Sequence, residues 1–300
     1  MLLLKRFLTK LIWMIFIFAG LSLTIYTVFS SDYENNSADA TTWEFDWLDY
    51  KELHKLSTGG SQIIAIIDSG INPLYSENLK FEKSLVDQSI EDTNGHGTMM
   101  YSIIKGIDGI LEGISPDAQI IVIKVMNGDD SVAPTIIKNA IELAVQKDAS
   151  IINLSMASHF EDKDITETIK LAVNKGVTVV ASSGDYGNTE LMYPAILDEV
   201  ISVGAIDTSG NVLDLTSGSQ KTTINAPGHE ISTIHSDGTI IKTTGTSQAT
   251  ALISGYIALL KDYAFSKNVA LTDDTIISLL KSINNEELTY LQALKKISTW

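Results

Sequence analysis

Three short motifs carry side chains suited to proton transfer and nucleophilic attack. IIAIIDSGIN places Asp68 at the end of an apolar run, NGHGTMM places His96 between two glycines, and TGTSQATA places Ser247 where a loop enters a helix. Histidine has an unperturbed pKa that suits proton transfer near neutral pH. Each residue alone also has a structural explanation, since serine commonly caps a helix and aspartate commonly caps a loop. The three together, in this chain order, match a known order of an Asp, His and Ser triad.

The elements that would position these residues alternate between strands and helices. Apolar runs rich in β-branched residues predict strands at 62–68, 118–126, 149–156, 177–183 and 199–206. Helical spacing separates them at 96–107, 133–148 and 164–176. This alternation predicts an α/β fold with a mostly parallel sheet and helices on both faces. Ligands of such sheets collect at the carboxyl ends of the strands.

The motifs and the segments between them resemble the subtilisin-like serine proteases (subtilases, peptidase family S8) over about residues 60–262. The spacers ASIINLSM, VVASSGDYGN, VISVGAID and INAPG have counterparts in the same order. The resemblance implies a three-layer αβα fold and a serine endopeptidase that works through an acyl-enzyme. By resemblance Ser247 is the nucleophile, His96 the general base and then acid, and Asp68 the group that orients the imidazole.

The resemblance also implies a substrate cleft. LSMAS resembles the segment with which the family pairs an extended peptide as an added strand, and Ala181 to Gly184 resembles the opposite wall of the S1 pocket. Five residues are expected to bind substrate there: Ser155, Met156 and Ala157 on one side, and Ser183 and Gly184 on the other. Ala157 stands where the family usually has glycine, which predicts a slightly narrower cleft.

Asp185 departs from the family pattern, because it stands where the family usually has the asparagine that donates a hydrogen bond in the oxyanion hole. An ionised carboxylate only accepts hydrogen bonds and would repel the oxyanion. Three possibilities stay open. Burial and nearby negative charge keep Asp185 protonated, so that it donates as a neutral acid. Alternatively, the backbone N–H of Ser247 and other donors, such as a shifted Asn188, suffice for a slower enzyme. In the third, the chain is a catalytically weak or inactive pseudoprotease that binds peptides.

The N-terminal thirty residues differ in composition from the rest. Lys5, Arg6 and Lys10 precede residues 11–30, an uncharged segment long enough to cross a membrane. The positive flank should stay in the cytoplasm, which places the remaining chain outside. Ala38-Asp39-Ala40 has the form of a cleavage site, so residues 1–30 are a signal anchor or a signal peptide. We therefore expect an extracytoplasmic catalytic domain on a bacterial cell membrane, or a secreted one after cleavage.

Composition bounds the remaining possibilities. The chain has 300 residues, 44% of them hydrophobic, which favours one large domain, here 61–300, after a polar linker at 31–60. The formal net charge of -16 disfavours nucleic acid as a partner, because phosphates are bound through Lys and Arg. The absence of cysteine excludes disulfides, cysteine zinc sites and thiol nucleophiles.

No cofactor is expected. Between His96 and Pro116 the acids are Asp108 and Glu112, whereas calcium takes about six to eight oxygen ligands, so a calcium site is not supported. Residues 31–60 are too few for the folded pro-domain that precedes secreted members of the family. In this the chain resembles small dedicated subtilases that trim bacterial peptide precursors, such as lantibiotic leader peptidases. A peptide or protein precursor is therefore the expected substrate.

Overall fold

The computed structural model describes residues 43–128 and 132–300. The predicted signal anchor or signal peptide at 1–30 and the first part of the predicted linker lie outside the described residues. Within the described ranges, no helix combines the length and the apolar character that a membrane span requires.

A seven-stranded parallel sheet forms the centre of the domain. The strands in chain order are Ile63–Asp68 (β1), Phe81–Ser84 (β2), Gly106–Ile107 (β3), Leu111–Glu112 (β4), Gln119–Lys124 (β5), Ile151–Leu154 (β6), Thr178–Ser182 (β7), Val200–Ile206 (β8), Ile224–Pro227 (β9), Ile231–Ile234 (β10) and Ile240–Thr243 (β11). The central sheet has the order β2-β5-β1-β6-β7-β8-β9, and every neighbouring pair is parallel. Strands β10 and β11 form a separate antiparallel hairpin. The predicted α/β architecture is confirmed.

Helices cover both faces of the sheet. They are Trp43–Leu48 (α1), Tyr50–His54 (α2), His96–Ile104 (α3), Pro134–Gln146 (α4), Lys163–Asn174 (α5), Thr246–Ser266 (α6), Asp273–Asn284 (α7) and Tyr290–Lys296 (α8), with 3-10 turns at Pro73–Asn78 and Ile297–Thr299. Alternate residues of β1 belong to two cores, Ile64 and Ile66 with α3 and α6, and Ala65 and Ile67 with α4 and α5. Both faces of the strand are therefore covered, which explains its continuous apolar run.

Residues 43–54 differ from the linker that the sequence predicts. They form α1 and α2, and Leu48 and Leu53 are fully buried in the core. Trp43 Nε1 donates a hydrogen bond to the carbonyl of His229 at 2.8 Å. The apolar residues of this segment recur at helical spacing, which allows one face to pack on the domain.

The helix α6 lies in the core, and its packing there determines where its first turn lies. It has 21 residues, and a Cβ added to Gly255 would lie 1.8 Å from Ile114 Cγ2. Ser115 Oγ donates to the carbonyl of Gly255 at 2.7 Å. Because glycine permits this close approach, the middle of the helix packs tightly on Ile114 and Ser115, and its N-terminus bearing Ser247 lies at the edge of the sheet.

Candidate active site

The carboxyl edge of the sheet gathers the residues singled out in the sequence. Asp68 ends β1, Ser155 follows β6 and Asp185 lies beyond the end of β7, and these three strands are neighbours. His96 begins α3, and Ser247 lies in the first turn of α6. Five residues that are far apart in the chain thus come from strand ends and helix starts, as expected for a site in a parallel sheet.

Asp68 and His96 form a buried carboxylate–imidazole pair. His96 Nδ1 lies 2.8 Å from Asp68 Oδ1 and 3.0 Å from Oδ2, and the N–H of Ser69 donates to Oδ1 at 2.7 Å. The Asp68 side chain is 1% exposed and that of His96 is 26% exposed. Because a carboxylate can only accept, Nδ1 is the donor. In the neutral ring the other nitrogen, Nε2, then carries no proton.

The pKa of His96 is raised above its ordinary value. Burial disfavours the imidazolium and lowers the pKa, but the charge of Asp68 and its hydrogen bond raise it, and the charges of Asp92 and Asp185 raise it further. The attraction of the three carboxylates outweighs the burial.

Asp92 is a buried residue of this site that the sequence did not single out. It is 3% exposed and accepts hydrogen bonds from Ser69 Oγ (2.9 Å), the N–H of Gly95 (2.7 Å), and the N–H and hydroxyl of Thr98 (2.8 and 2.7 Å). Gly95 and Thr98 flank His96 in the chain, so Asp92 holds the loop that presents the imidazole. An acid shortly before a helix is typical of a cap, and that pattern alone gives no indication of burial.

Ser247 is half-buried at the N-terminus of α6. Its hydroxyl donates to the carbonyl of Ser155 at 3.2 Å, and Ser155 Oγ donates to the carbonyl of Ser247 at 3.1 Å. N–H groups in the first turn of a helix lack partners within the helix. The first turn of α6 therefore presents backbone donors and a positive dipole end beside the Ser247 hydroxyl.

Asp185 lies against the same helix start. Its Oδ1 accepts from both the N–H and the hydroxyl of Thr246, each at 2.8 Å. Its Oδ2 would lie 2.9 Å from a Cβ added to Gly245. The side chain is exposed, so the burial that a neutral acid at this position requires is not found. Oδ1 of Asp185 is thus held by Thr246, and Oδ2 lies beside Gly245, just before the start of α6.

The two segments expected to bind substrate adjoin this site: Ser155 contacts Ser247, and Ser183 and Gly184 precede Asp185. Met156 is half-buried and Ala157 exposed, and within residues 43–128 and 132–300 their backbone groups have no hydrogen-bond partner. Ser183 and Gly184 are buried, and the Ser183 hydroxyl has no partner among the described residues. Asn188 is exposed and lines a separate cavity. Unpaired backbone at Met156 and Ala157 is what an added peptide strand would use.

A metal centre is not found in the part of the chain that the structure describes. No group of three or more His, Cys, Asp or Glu residues there is arranged to hold an ion.

Comparisons with a family model and with individual known proteins all indicate the same family. Residues 59–291 match the model of the "Subtilase family". The chain is 30% identical over 217 residues to the major intracellular serine protease of Bacillus subtilis (strain 168), covering 67% of this chain and 68% of that protein. It is 29% identical over 230 residues to Subtilisin BL of Lederbergia lenta, covering 75% of this chain and 85% of that protein.

A solved structure shares the fold. The structure of the prenylagaramide maturation protease PagA superposes with a TM-score of 0.70 at 24% sequence identity. The superposition covers 83% of this chain and 97% of that one. At 24% identity this similarity shows that the two proteins share a fold and shows nothing further.

Replacement of Asp92 should destabilise the loop that carries His96. We expect Asp92→Ala to lower the free energy of unfolding by about 2–4 kcal/mol, because several buried donors lose their acceptor. Asp207→Ala is the matched control. Asp207 also accepts from two backbone N–H groups, of Ser209 and Asn211, but on a surface turn where water can replace it. Urea unfolding of the wild type and both variants tests this, and equal losses for the two variants would contradict a structural role of Asp92.

Proposed function

This chain belongs to the subtilase family and is a subtilisin-like serine endopeptidase, and we propose that Asp68, His96 and Ser247 form its catalytic triad. The observation that carries the proposal is the hydrogen bond of His96 Nδ1 to the buried carboxylate of Asp68. It lies at the same sheet edge as the helix start that bears Ser247. A buried acid, an imidazole oriented by it and a hydroxyl at a helix start rarely occur together for structural reasons alone, so their combination favours a catalytic role.

In the proposed reaction, Ser247 Oγ attacks the carbonyl carbon of the scissile bond. His96 takes the hydroxyl proton through Nε2 and later gives it to the leaving amine, while Asp68 holds Nδ1 and stabilises the imidazolium. The hydroxyl has one proton, which Ser247 donates to the carbonyl of Ser155. Ser247 must therefore turn this proton towards His96 before it can be transferred. Water then attacks the acyl carbon as His96 takes one of its protons, and His96 returns that proton to Ser247 Oγ as the acid product leaves.

Backbone groups are the proposed donors for the developing oxyanion. Ser247 is the second residue of α6, so its N–H has no intrahelical acceptor, and the positive end of the helix dipole points towards the reacting carbonyl. The N–H of Thr246 is used by Asp185. The Ser247 N–H is therefore the donor that remains closest to the nucleophile.

Asp185 is proposed to be an ionised acid that slows the reaction. Its exposure and the two donors on Oδ1 support an accepting carboxylate. An asparagine in the same orientation would keep its oxygen on Thr246 and present an NH₂ group where Oδ2 lies. A single donor in an oxyanion hole is worth about 10²–10³ in turnover. The intact acid–base pair then implies a slow enzyme that depends on a well-bound substrate.

Asp185 also favours a second candidate, a pseudoprotease that binds peptides. In that case the cleft between Met156–Ala157 and Ser183–Gly184 would bind a peptide and the acceptor at Oδ2 would prevent turnover. The pair formed by the buried Asp68 carboxylate and His96 supports the enzyme over this candidate. Burying a carboxylate is costly, and peptide binding alone does not require it.

The substrate is a peptide or protein, and we propose that it is a precursor processed outside the membrane. The sequence of residues 1–30 supports an exported domain that is anchored, or secreted after cleavage. Cell fractionation of the full chain tests this placement. We expect the protein in the membrane fraction and cut by protease added to intact cells, or in the medium, and protection inside intact cells would contradict the proposal.

Labelling with a fluorophosphonate tests the nucleophile. We expect one adduct on the full-length protein, on the peptide that contains Ser247, and none on Ser247→Ala. His96→Ala should lower the labelling rate by several orders of magnitude, because the base is lost. Ser266→Ala is the matched control, since Ser266 lies exposed at the other end of the same helix and should not change labelling. A folded wild-type protein without adduct, or a labelled Ser247→Ala variant, would exclude the triad.

Asp185→Asn should raise the turnover number by at least about tenfold, because a donor replaces an acceptor beside the oxyanion. It should also move the acidic limb of the rate profile to lower pH. Asp185 raises the pKa of His96, so its removal lowers that pKa and keeps the base neutral at lower pH. Rates of peptide hydrolysis between pH 4 and 10 measure both effects, with Asp207→Asn as the control.

A neutral Asp185 and an inactive chain would each give a different profile. If Asp185 acts as a neutral acid, the wild-type rate falls as pH rises through its titration, and Asp185→Asn removes that fall. If the chain is a pseudoprotease, folded Asp185→Asn remains inactive. Either result would overturn the ionised, rate-limiting acid proposed above.

A further inference from the structure

A gap opens between the two expected cleft walls where neighbouring strands part. The strands β6 and β7 are paired as far as Leu154 and Ala181. Beyond that point Ser182 pairs only with Val203 of β8, whereas Ser155 turns towards Ser247. Ser155–Ala157 and Ser182–Gly184 therefore diverge, and the space between them adjoins the nucleophile.

The segment Met192–Tyr193 crosses this gap and forms its floor. The N–H of Met192 donates to the carbonyl of Ser183 at 3.1 Å, which attaches the segment to one wall. Tyr193 and Ser158 exchange two backbone hydrogen bonds, of 3.0 and 2.8 Å, which attach it to the continuation of the other wall. A segment bonded at both sides is fixed in position, so its side chains determine how deep the gap is.

The side chain of Met192 fills the gap beside Gly184. Met192 is 4% exposed. A Cβ added to Gly184 would lie 2.3 Å from Met192 Sδ and 2.8 Å from its Cγ. The thioether thus occupies the space in front of this wall. Tyr193 points elsewhere, because its hydroxyl bonds to the carbonyl of Asp162 at 3.0 Å.

A cavity adjoins this floor. Its volume is about 400 Å³, and the residues that line it include Ser158, Glu161, Asn188, Met192 and Tyr193. Met192 contacts Gly184 and is also among the residues that line this cavity, so it borders both the gap and the cavity. The cavity could hold an aromatic side chain, but a substrate residue entering beside Ser247 meets the thioether first.

We propose that Met192 limits the P1 residue of the substrate, whose carbonyl Ser247 attacks, to a small side chain such as Gly, Ala or Ser. The proposal rests on the proposed function, because the gap adjoins the cleaved bond only if Ser247 is the nucleophile. A larger P1 side chain would have to displace a buried methionine that is packed against glycine backbone. Well-packed interiors resist such displacement.

The test compares peptides that share every residue except P1, which is Ala, Leu or Phe. We expect wild-type kcat/KM to be about 10²-fold higher for Ala than for Phe, a discrimination that steric exclusion from a filled pocket can supply. Met192→Ala should join the gap to the cavity and reduce this ratio at least tenfold, mainly by faster cleavage of the Phe peptide. Met192→Val, which keeps more of the packing, should give an intermediate ratio.

Met126→Ala is the matched control, because Met126 is a partly buried methionine that packs against the core containing α4 and α5 and does not line the cavity. It should leave the ratio unchanged. Fluorophosphonate labelling of Ser247 in each variant separates the two proposals, since the probe has no P1 side chain. Labelled proteins with no preference for Ala, or with a ratio that Met192→Ala and Met192→Val leave unchanged, overturn the inference about Met192 alone. A wild-type protein without label overturns it together with the proposed triad.

Discussion

The hydrogen bond between the buried carboxylate of Asp68 and His96 Nδ1 is the contact on which the site depends. A buried charge is costly unless its oxygens are bonded, so the chain must bring donors to the end of β1. It does so by close packing of α3 on the residues that follow β1: a Cβ added to Gly97 would lie 2.3 Å from the carbonyl oxygen of Gly70. The glycine after His96 is therefore needed for the approach, and Asp92 fixes the loop in front of it.

Three carboxylates surround the imidazole, and their effects on the proposed reaction oppose each other. Asp68, Asp92 and Asp185 all raise the pKa of His96 and so stabilise the imidazolium that forms when Ser247 attacks. Asp185 alone also lies at the start of α6, where the oxyanion would be bound. Its charge favours proton transfer and disfavours the oxyanion. We expect the unfavourable effect to dominate, because Asp185 bonds to Thr246, the residue before the proposed nucleophile, at the helix start where the oxyanion would be bound.

The sequence predicts well the elements that are buried on both faces or strongly periodic. The run at β1 is apolar throughout because two layers of helices cover it, and α6 is nearly uncharged because it lies in the core. The edge strand β2 escapes prediction because its sequence, FEKS, has two exposed charges and gives no apolar run. The predicted linker at 31–60 includes α1 and α2, because these helices are short and their acids give the segment the composition of a linker, while the helical spacing of their apolar residues covers only a short stretch.

The sequence predicts those site residues that belong to motifs at strand ends and helix starts. The motifs indicate Asp68, His96 and Ser247, and the structure brings them to one edge. The positions of Asp92 and Met192 depend on segments that meet only in the fold, across β1 and between β6 and β7, so no local pattern could indicate them. The orientation of Asp185, with Oδ1 on Thr246, likewise depends on a contact between residues 61 positions apart.

The central claim is that Ser247 attacks carbonyl carbon with His96 as its base, and trapping of an acyl-enzyme tests it most directly. An activated ester is mixed with the full-length protein, the reaction is stopped with acid during the first turnover, and the acyl group is located by mass spectrometry of peptides. The account predicts one acyl group per chain, on Ser247, which forms faster as pH rises through the pKa of His96. An acyl group on another residue, or a folded protein that acquires none at any pH, would contradict it.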